Sequence, residues 1–177
     1  MDDYFSDWSS TQFEPYYLRC IIDEQAIEGK GEYEKFYDDY TNDSGVYRFS
    51  CGSPFENNGV KHFVIYMGQS GGQFGWNGLG FRTTCYINFE PKNGRDERVR
   101  NRIRTLVREK THGQIILECL LTENCEKIEA MLLSNYEKIH DSLPVENIQG
   151  ENPYNFDVKD PNCKLLHLVE DNWIKDS

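Results

Sequence analysis

The chain has 177 residues, a length that suits one domain with elaborations, and its 11 Tyr, 10 Phe and 3 Trp can fill a core of real size. Its formal net charge of −11 is uneven: residues 1–44 carry 12 acids and 3 bases, residues 45–150 carry 12 and 13, and the last 27 carry 6 and 3. An anion-binding surface is therefore expected only in the middle segment. No apolar run approaches the roughly 18 residues of a membrane span, and "MDDYFSDW" lacks the basic and apolar regions of a signal peptide, so a cytoplasmic protein without a membrane role is expected.

Residues 1–43 alternate acids with aromatics and predict an arm packed on the core, with a strand near 16–22 and a short helix within 24–40. "GVYRFSCG" at 45–52 and "VKHFVIYMG" at 60–68 predict two strands joined by the turn residues "SPFENNG". Six glycines crowd into 68–80, which predicts a loop with close backbone approach. "FRTTCYINF" at 81–89 is rich in β-branched and aromatic residues and predicts a strand or an extended insertion. Residues 94–110 predict a helix with Val99, Ile103, Leu106 and Val107 on one stripe. "QIILECLL" at 114–121 predicts a strand. A second helix over about 123–140 carries Cys125, Ile128, Leu132, Tyr136 and Ile139 on its stripe. The expected class is α+β, or mixed α/β, with a small, mainly antiparallel sheet and flanking helices. Residues 44–148 would form the central domain, with an insertion at 69–94 and a C-terminal extension at 149–177.

Six scattered cysteines with no C-x-x-C pair point to reduced thiols. The four histidines lack metal-ligand spacing, and the glycine loop lacks the G-K-[ST] ending of a P-loop. What carries chemistry is a constellation. Tyr47 and Tyr66 lie on adjacent predicted strands, where both hydroxyls can reach one face or edge. Glu129 falls on the edge of its helix's apolar stripe, where a carboxylate is partly desolvated and calls for a cation or donor. Arg98, Arg100, Arg102 and Arg104 share one helix, with Arg102 flanking the stripe. Guanidinium groups suit bidentate phosphate recognition. Asn147 follows Pro144 in "LPVENI".

In this order, Gly45-Val46-Tyr47, Tyr66-Met67-Gly68, a helix arginine, Glu129 and Pro144 to Asn147 resemble the GIY-YIG nuclease family over about residues 44–148. Three departures stand out. Eighteen residues separate the two tyrosines, more than a compact hairpin needs. About 25 residues separate Gly68 from the arginine helix, where that family runs straight into it, so Arg82 in "GFRTT" competes with Arg102. Leu106 also stands where a histidine often follows the arginine by one turn.

The resemblance implies phosphodiester hydrolysis of DNA, duplex or branched, with a single Mg²⁺ or Mn²⁺ held by Glu129. Tyr47, with a pKa lowered by the metal or an arginine, would be the general base, helped by Tyr66; Arg102 or Arg82 would neutralise the phosphorane; Asn147 would position the site. It also implies a restriction-enzyme or phage-type insertion. Arg82, Arg95, Arg98, Arg100, Arg104 and Trp76 are the candidate DNA contacts, and a homodimer would let one site per chain cut both strands. The alternatives are a catalytically inactive relative that binds a protein partner through its acidic flanks, or an acidic DNA-mimic inhibitor.

Overall fold

A computed structural model describes residues 17–57, 59–71, 78–88, 90, 94–123 and 125–147. Four strands, β1 (Tyr17–Ile22), β2 (Gly45–Asn57), β3 (Val60–Ser70) and β4 (Ile115–Leu121), form one sheet in the order β1-β4-β2-β3. Every pairing is antiparallel. The helices are α1 (Glu24–Ile27), α2 (Glu32–Tyr40), α3 (Leu79–Ile87), α4 (Gly94–Glu109) and α5 (Cys125–His140). The α+β class with a small antiparallel sheet is the observed one.

Strand alternation assigns the two faces. Tyr47, Phe49 and Cys51 of β2 share a face with Leu117 and Cys119 of β4 and with Cys20 of β1, and this larger core packs against α1 to α4. Val46, Val64, Met67 and Leu120 face the other way, onto the Cys125, Ile128, Leu132 and Tyr136 stripe of α5. The stripe expected on α4 is buried as well, with Val99 and Ile103 at 0% exposure.

The N-terminal arm is more integrated than a covering segment. Its strand β1 pairs with β4 from Tyr17↔Leu120 to Ile22↔Ile115 and so forms one edge of the sheet. The single helix expected within 24–40 is two, because Gly29 and Gly31 take φ of 72° and 73° and turn the chain between them. Asp23 caps the first by accepting from the Ala26 amide at 3.0 Å.

Residues 81–89 correct the sequence reading: 79–87 form a helix, not a strand or an extended insertion. Tertiary contacts override the β-propensity of its threonines and aromatics. Thr83 and Thr84 are buried but satisfied, since the Tyr33 hydroxyl lies 2.9 Å from each of their hydroxyls and Thr83 donates to Leu79 O at 2.8 Å. Gly80 lets the helix approach α2, for a Cβ there would lie 2.7 Å from Tyr37 O.

Arg48 and Glu118 are direct cross-strand partners on the α5 face, exposed by only 2% and 3%. Arg48 Nε donates to Glu118 Oε2, which also accepts from Ser50 Oγ at 3.3 Å. The described cysteines Cys20, Cys51, Cys85, Cys119 and Cys125 are buried free thiols. Among the described residues no helix is long and apolar enough to cross a membrane.

Removing one member of a buried pair strands the other charge, at about 3–5 kcal/mol, whereas an apolar replacement of both is often near neutral. Glu118→Ala is therefore expected to lower the urea midpoint far more than the double variant Arg48→Met/Glu118→Leu. Equal losses in the two would contradict this.

Candidate functional site

The two tyrosine motifs meet because β2 and β3 pair in a register that sets Tyr47 opposite Gly68 and Phe49 opposite Tyr66. Both motif glycines are sterically required. A Cβ on Gly68 would lie 2.5 Å from the Tyr47 hydroxyl oxygen, and one on Gly45 would lie 2.4 Å from Leu120 O. The Tyr47 ring thus lies over the glycine of the neighbouring strand, which ties the G-V-Y and Y-M-G stretches into one unit.

A third tyrosine completes the group. Tyr86 of α3 has its ring centroid 6.0 Å from that of Tyr47 and 5.2 Å from that of Tyr66. The Tyr47 hydroxyl donates to the Tyr86 hydroxyl at 3.3 Å, and Tyr86 reaches both Tyr66 Oη at 3.5 Å and Asp96 Oδ1 at 3.2 Å. Asp96, at the first turn of α4, is 2% exposed. It accepts twice from Arg82 of α3, from Nη1 at 3.1 Å and Nη2 at 3.3 Å. The Arg82 guanidinium also stands 5.3 Å from the Tyr86 ring centroid, within cation–π range. With its side chain 28% exposed, Arg82 links the buried tyrosines to the surface.

Burial pushes the Tyr47 hydroxyl well above its usual range, and neighbouring Tyr66 adds to the shift; Arg82 and the bond to Tyr86 pull it back. Tyr66 is likewise raised by burial, while its bond to Tyr86 and the charges of Arg95 and Arg82 oppose the shift. Glu129 on α5 is partly exposed, and its carboxylate raises both tyrosines. Helix α5 itself packs on the opposite face of the sheet, against Val46, Val64, Met67 and Leu120.

The remaining expected residues fall elsewhere. Arg102 is on α4 beside Arg98, and both bind the buried Glu146, Arg98 Nε to Oε2 at 2.7 Å and Arg102 Nε to Oε1 at 2.9 Å. Of the two competing arginines, Arg82 is the one that joins the tyrosines, and the expected insertion at 69–94 contains its helix. The segment closing the unit is fastened to the free edge of β3. Asn147 Oδ1 accepts from Met67 N and its Nδ2 donates to Met67 O, each at 2.9 Å, and Glu146 N donates to Ile65 O at 3.0 Å. Asn147 thus holds the residue next to Tyr66 through its backbone. Arg95 is exposed on the first turn of α4, while Arg100 and Arg104 are partly exposed further along it. Trp76 lies outside the described residues.

The sequence reading missed Tyr86, Asp96 and Glu146. Asp96 stands three residues before Val99 and seven before Ile103, on the apolar stripe itself, so the argument that singled out Glu129 applies to it. Tyr86 lies four residues after Arg82 and shares its helix face. Glu146 carries no such signal. Comparison with protein-family models, with curated proteins and with solved structures finds no match for this chain.

Because the folded chain holds the tyrosines above the value near 10 of an unfolded chain, their contribution to stability is complete below about pH 10 and is lost as pH rises beyond it. Buried thiols act in the same direction from slightly lower pH, with Cys51 pushed up to about 11. In a titration followed by NMR of ¹³C-labelled tyrosine, the Tyr47, Tyr66 and Tyr86 signals should stay protonated until the chain unfolds. Ionisation of all three near pH 10 in a folded chain would contradict the arrangement.

Proposed function

We propose that the chain is a metal-dependent endonuclease that hydrolyses DNA phosphodiester bonds, in the manner of the GIY-YIG nucleases it resembles. The observation that carries this reading is the convergence of Tyr47, Tyr66 and Arg82 at one end of the β2–β3 hairpin, within the field of the Glu129 carboxylate. In that family the arginine helix directly follows the second tyrosine strand. Here the next helix after β3 is α3, and it carries Arg82. Arg82 therefore takes the role first divided between it and Arg102.

Among the described residues no group of three or more His, Cys, Asp or Glu side chains could cage a metal ion. Glu129 would supply one carboxylate ligand, which suits Mg²⁺ or Mn²⁺, ions that keep several waters. Such an ion, if bound there, would supply Lewis-acid polarisation of the phosphoryl group and stabilisation of the leaving oxygen. Arg82, fixed by the two hydrogen bonds it donates to Asp96, meets the charge that builds on the phosphorane oxygens. Tyr47 Oη takes the proton of the attacking water as its own proton passes to Tyr86 Oη, and Tyr86 passes its proton to Asp96 Oδ1. This relay fits a tyrosine whose anion is disfavoured by burial, because Tyr47 never has to hold the charge. Asn147 keeps the Tyr66 strand in place, and a dimer would give two sites for two strands.

One observation favours a second reading. Tyr47 is 1% exposed and Tyr86 0%, as in a core cluster with no substrate. On that reading the chain is a non-catalytic module that binds a partner through its acidic flanks. Supercoiled plasmid in low salt distinguishes the two. With Mg²⁺ or Mn²⁺ the protein should nick it, EDTA should abolish nicking, and Glu129→Ala should lower the rate at least about 100-fold, the scale of a lost charge-stabilising group. No cleavage of plain, modified or branched DNA would leave the second reading standing.

A further inference from the structure

The two flanks of α4 carry arginines in different circumstances. On one flank, Arg98 and Arg102 share the buried Glu146 carboxylate, one on each oxygen. On the other, Arg100, Arg104 and Arg108 follow at four-residue intervals, so they stack on one face about 6 Å apart along the axis. Asp96, four residues before Arg100, begins the same row and holds Arg82. A line of four guanidinium groups therefore starts at the tyrosine site and runs down the helix.

This row is poorly compensated. Among the described residues, Arg100, Arg104 and Arg108 form no ion pair. The Nε atoms of Arg100 and Arg104 are shielded from water and have no hydrogen-bond partner. Like charges at four-residue spacing destabilise a helix. The charged state of Arg104 is disfavoured by burial first and then by Arg100 and Arg108, with Glu90 opposing. Glu97, three residues before Arg100, and Glu90 are acids near the row, and neither forms an ion pair with it among the described residues. A polyanion laid along it would place negative charge beside the guanidinium groups and relieve the repulsion.

We infer that the Arg100–Arg104–Arg108 row is a phosphate track, the docking line for a DNA strand whose scissile phosphate lies at Arg82. The inference rests on the nuclease reading for its direction, since it runs outward from that site. It also divides the arginines of α4. Arg98 and Arg102 are clamps for Glu146 and hold the closing segment, whereas the opposite flank contacts the backbone. Arg108, which the sequence reading passed over, joins that flank.

The test is equilibrium binding of a short fluorescein-labelled duplex in EDTA, so that no cleavage enters, over a range of salt concentrations. The full chain is compared with Arg100→Gln/Arg104→Gln/Arg108→Gln and with Lys30→Gln/Lys35→Gln/Lys61→Gln, which removes the same charge at exposed lysines elsewhere. Each lost phosphate contact lowers the slope of log affinity against log salt by about 0.9. The arginine variant should therefore lose about two to three units of slope while the lysine variant keeps the wild-type value. Equal losses in both variants, no loss in either, or no DNA binding by the full chain would overturn the track. If the arginine variant does not fold, phenylglyoxal modification of the wild type replaces it. DNA should protect Arg100, Arg104 and Arg108 from the reagent, and undiminished modification overturns the proposal. Salt-dependent binding through the row without plasmid nicking would remove the nuclease reading and leave the track. Nicking that ignores the row would do the reverse.

Discussion

The candidate site depends on one buried carboxylate. Asp96 is 2% exposed, and an ionised carboxyl in that position is costly unless its oxygens are occupied. Arg82 fills both oxygens and Tyr86 shares one. Tyr86 in turn holds the hydroxyls of Tyr47 and Tyr66, so a single acid joins α3, α4 and the β2–β3 hairpin. Arg82 cannot leave this arrangement without taking two hydrogen bonds from the buried Asp96 carboxylate. That is the physical reason the arginine beside the tyrosines comes from α3 and not from the longer, arginine-rich α4.

The same rule recurs at the other buried acids. Glu118 meets Arg48 across two strands, and Glu146 meets Arg98 and Arg102 of α4. The Glu146 pairing has a further consequence for the sheet. Its segment supplies a backbone donor to Ile65, and Asn147 supplies a donor and an acceptor to Met67. The open edge of β3 is thereby partly covered, which edge strands generally require, and the strand bearing Tyr66 is held from both sides. Asn147, at the end of the unit, thus touches the backbone of Met67, the residue next to Tyr66.

Much of this was legible in the sequence where periodicity governs. The β2 and β3 strands, the Val99–Ile103–Leu106 stripe and the Cys125–Ile128–Leu132 stripe follow from spacing alone, and they bury as spacing requires. Helix α3 was hidden because Thr83, Thr84 and Tyr86 favour strands locally. What makes them helical is Tyr33, 50 and 51 residues away along the chain from the two threonines it binds. The ion pairs were hidden for a similar reason. An acid in a sequence is a surface residue by default, and Glu118 and Glu146 become core residues only through arginines 70 and 44 to 48 positions away. Asp96 is the exception, since its stripe position marks it before any partner is known.

The central claim is that Arg82, held by Asp96, completes the tyrosine site, while Arg102 serves the clamp on Glu146. It is tested most directly by single-turnover plasmid cleavage with Arg82→Lys and Arg102→Lys side by side. A lysine keeps the charge but loses the fork that spans both oxygens of Asp96. A fall of about 100-fold or more is expected for Arg82→Lys, with Arg102→Lys within a few-fold of wild type. The reverse pattern, or equal losses in the two, would contradict it.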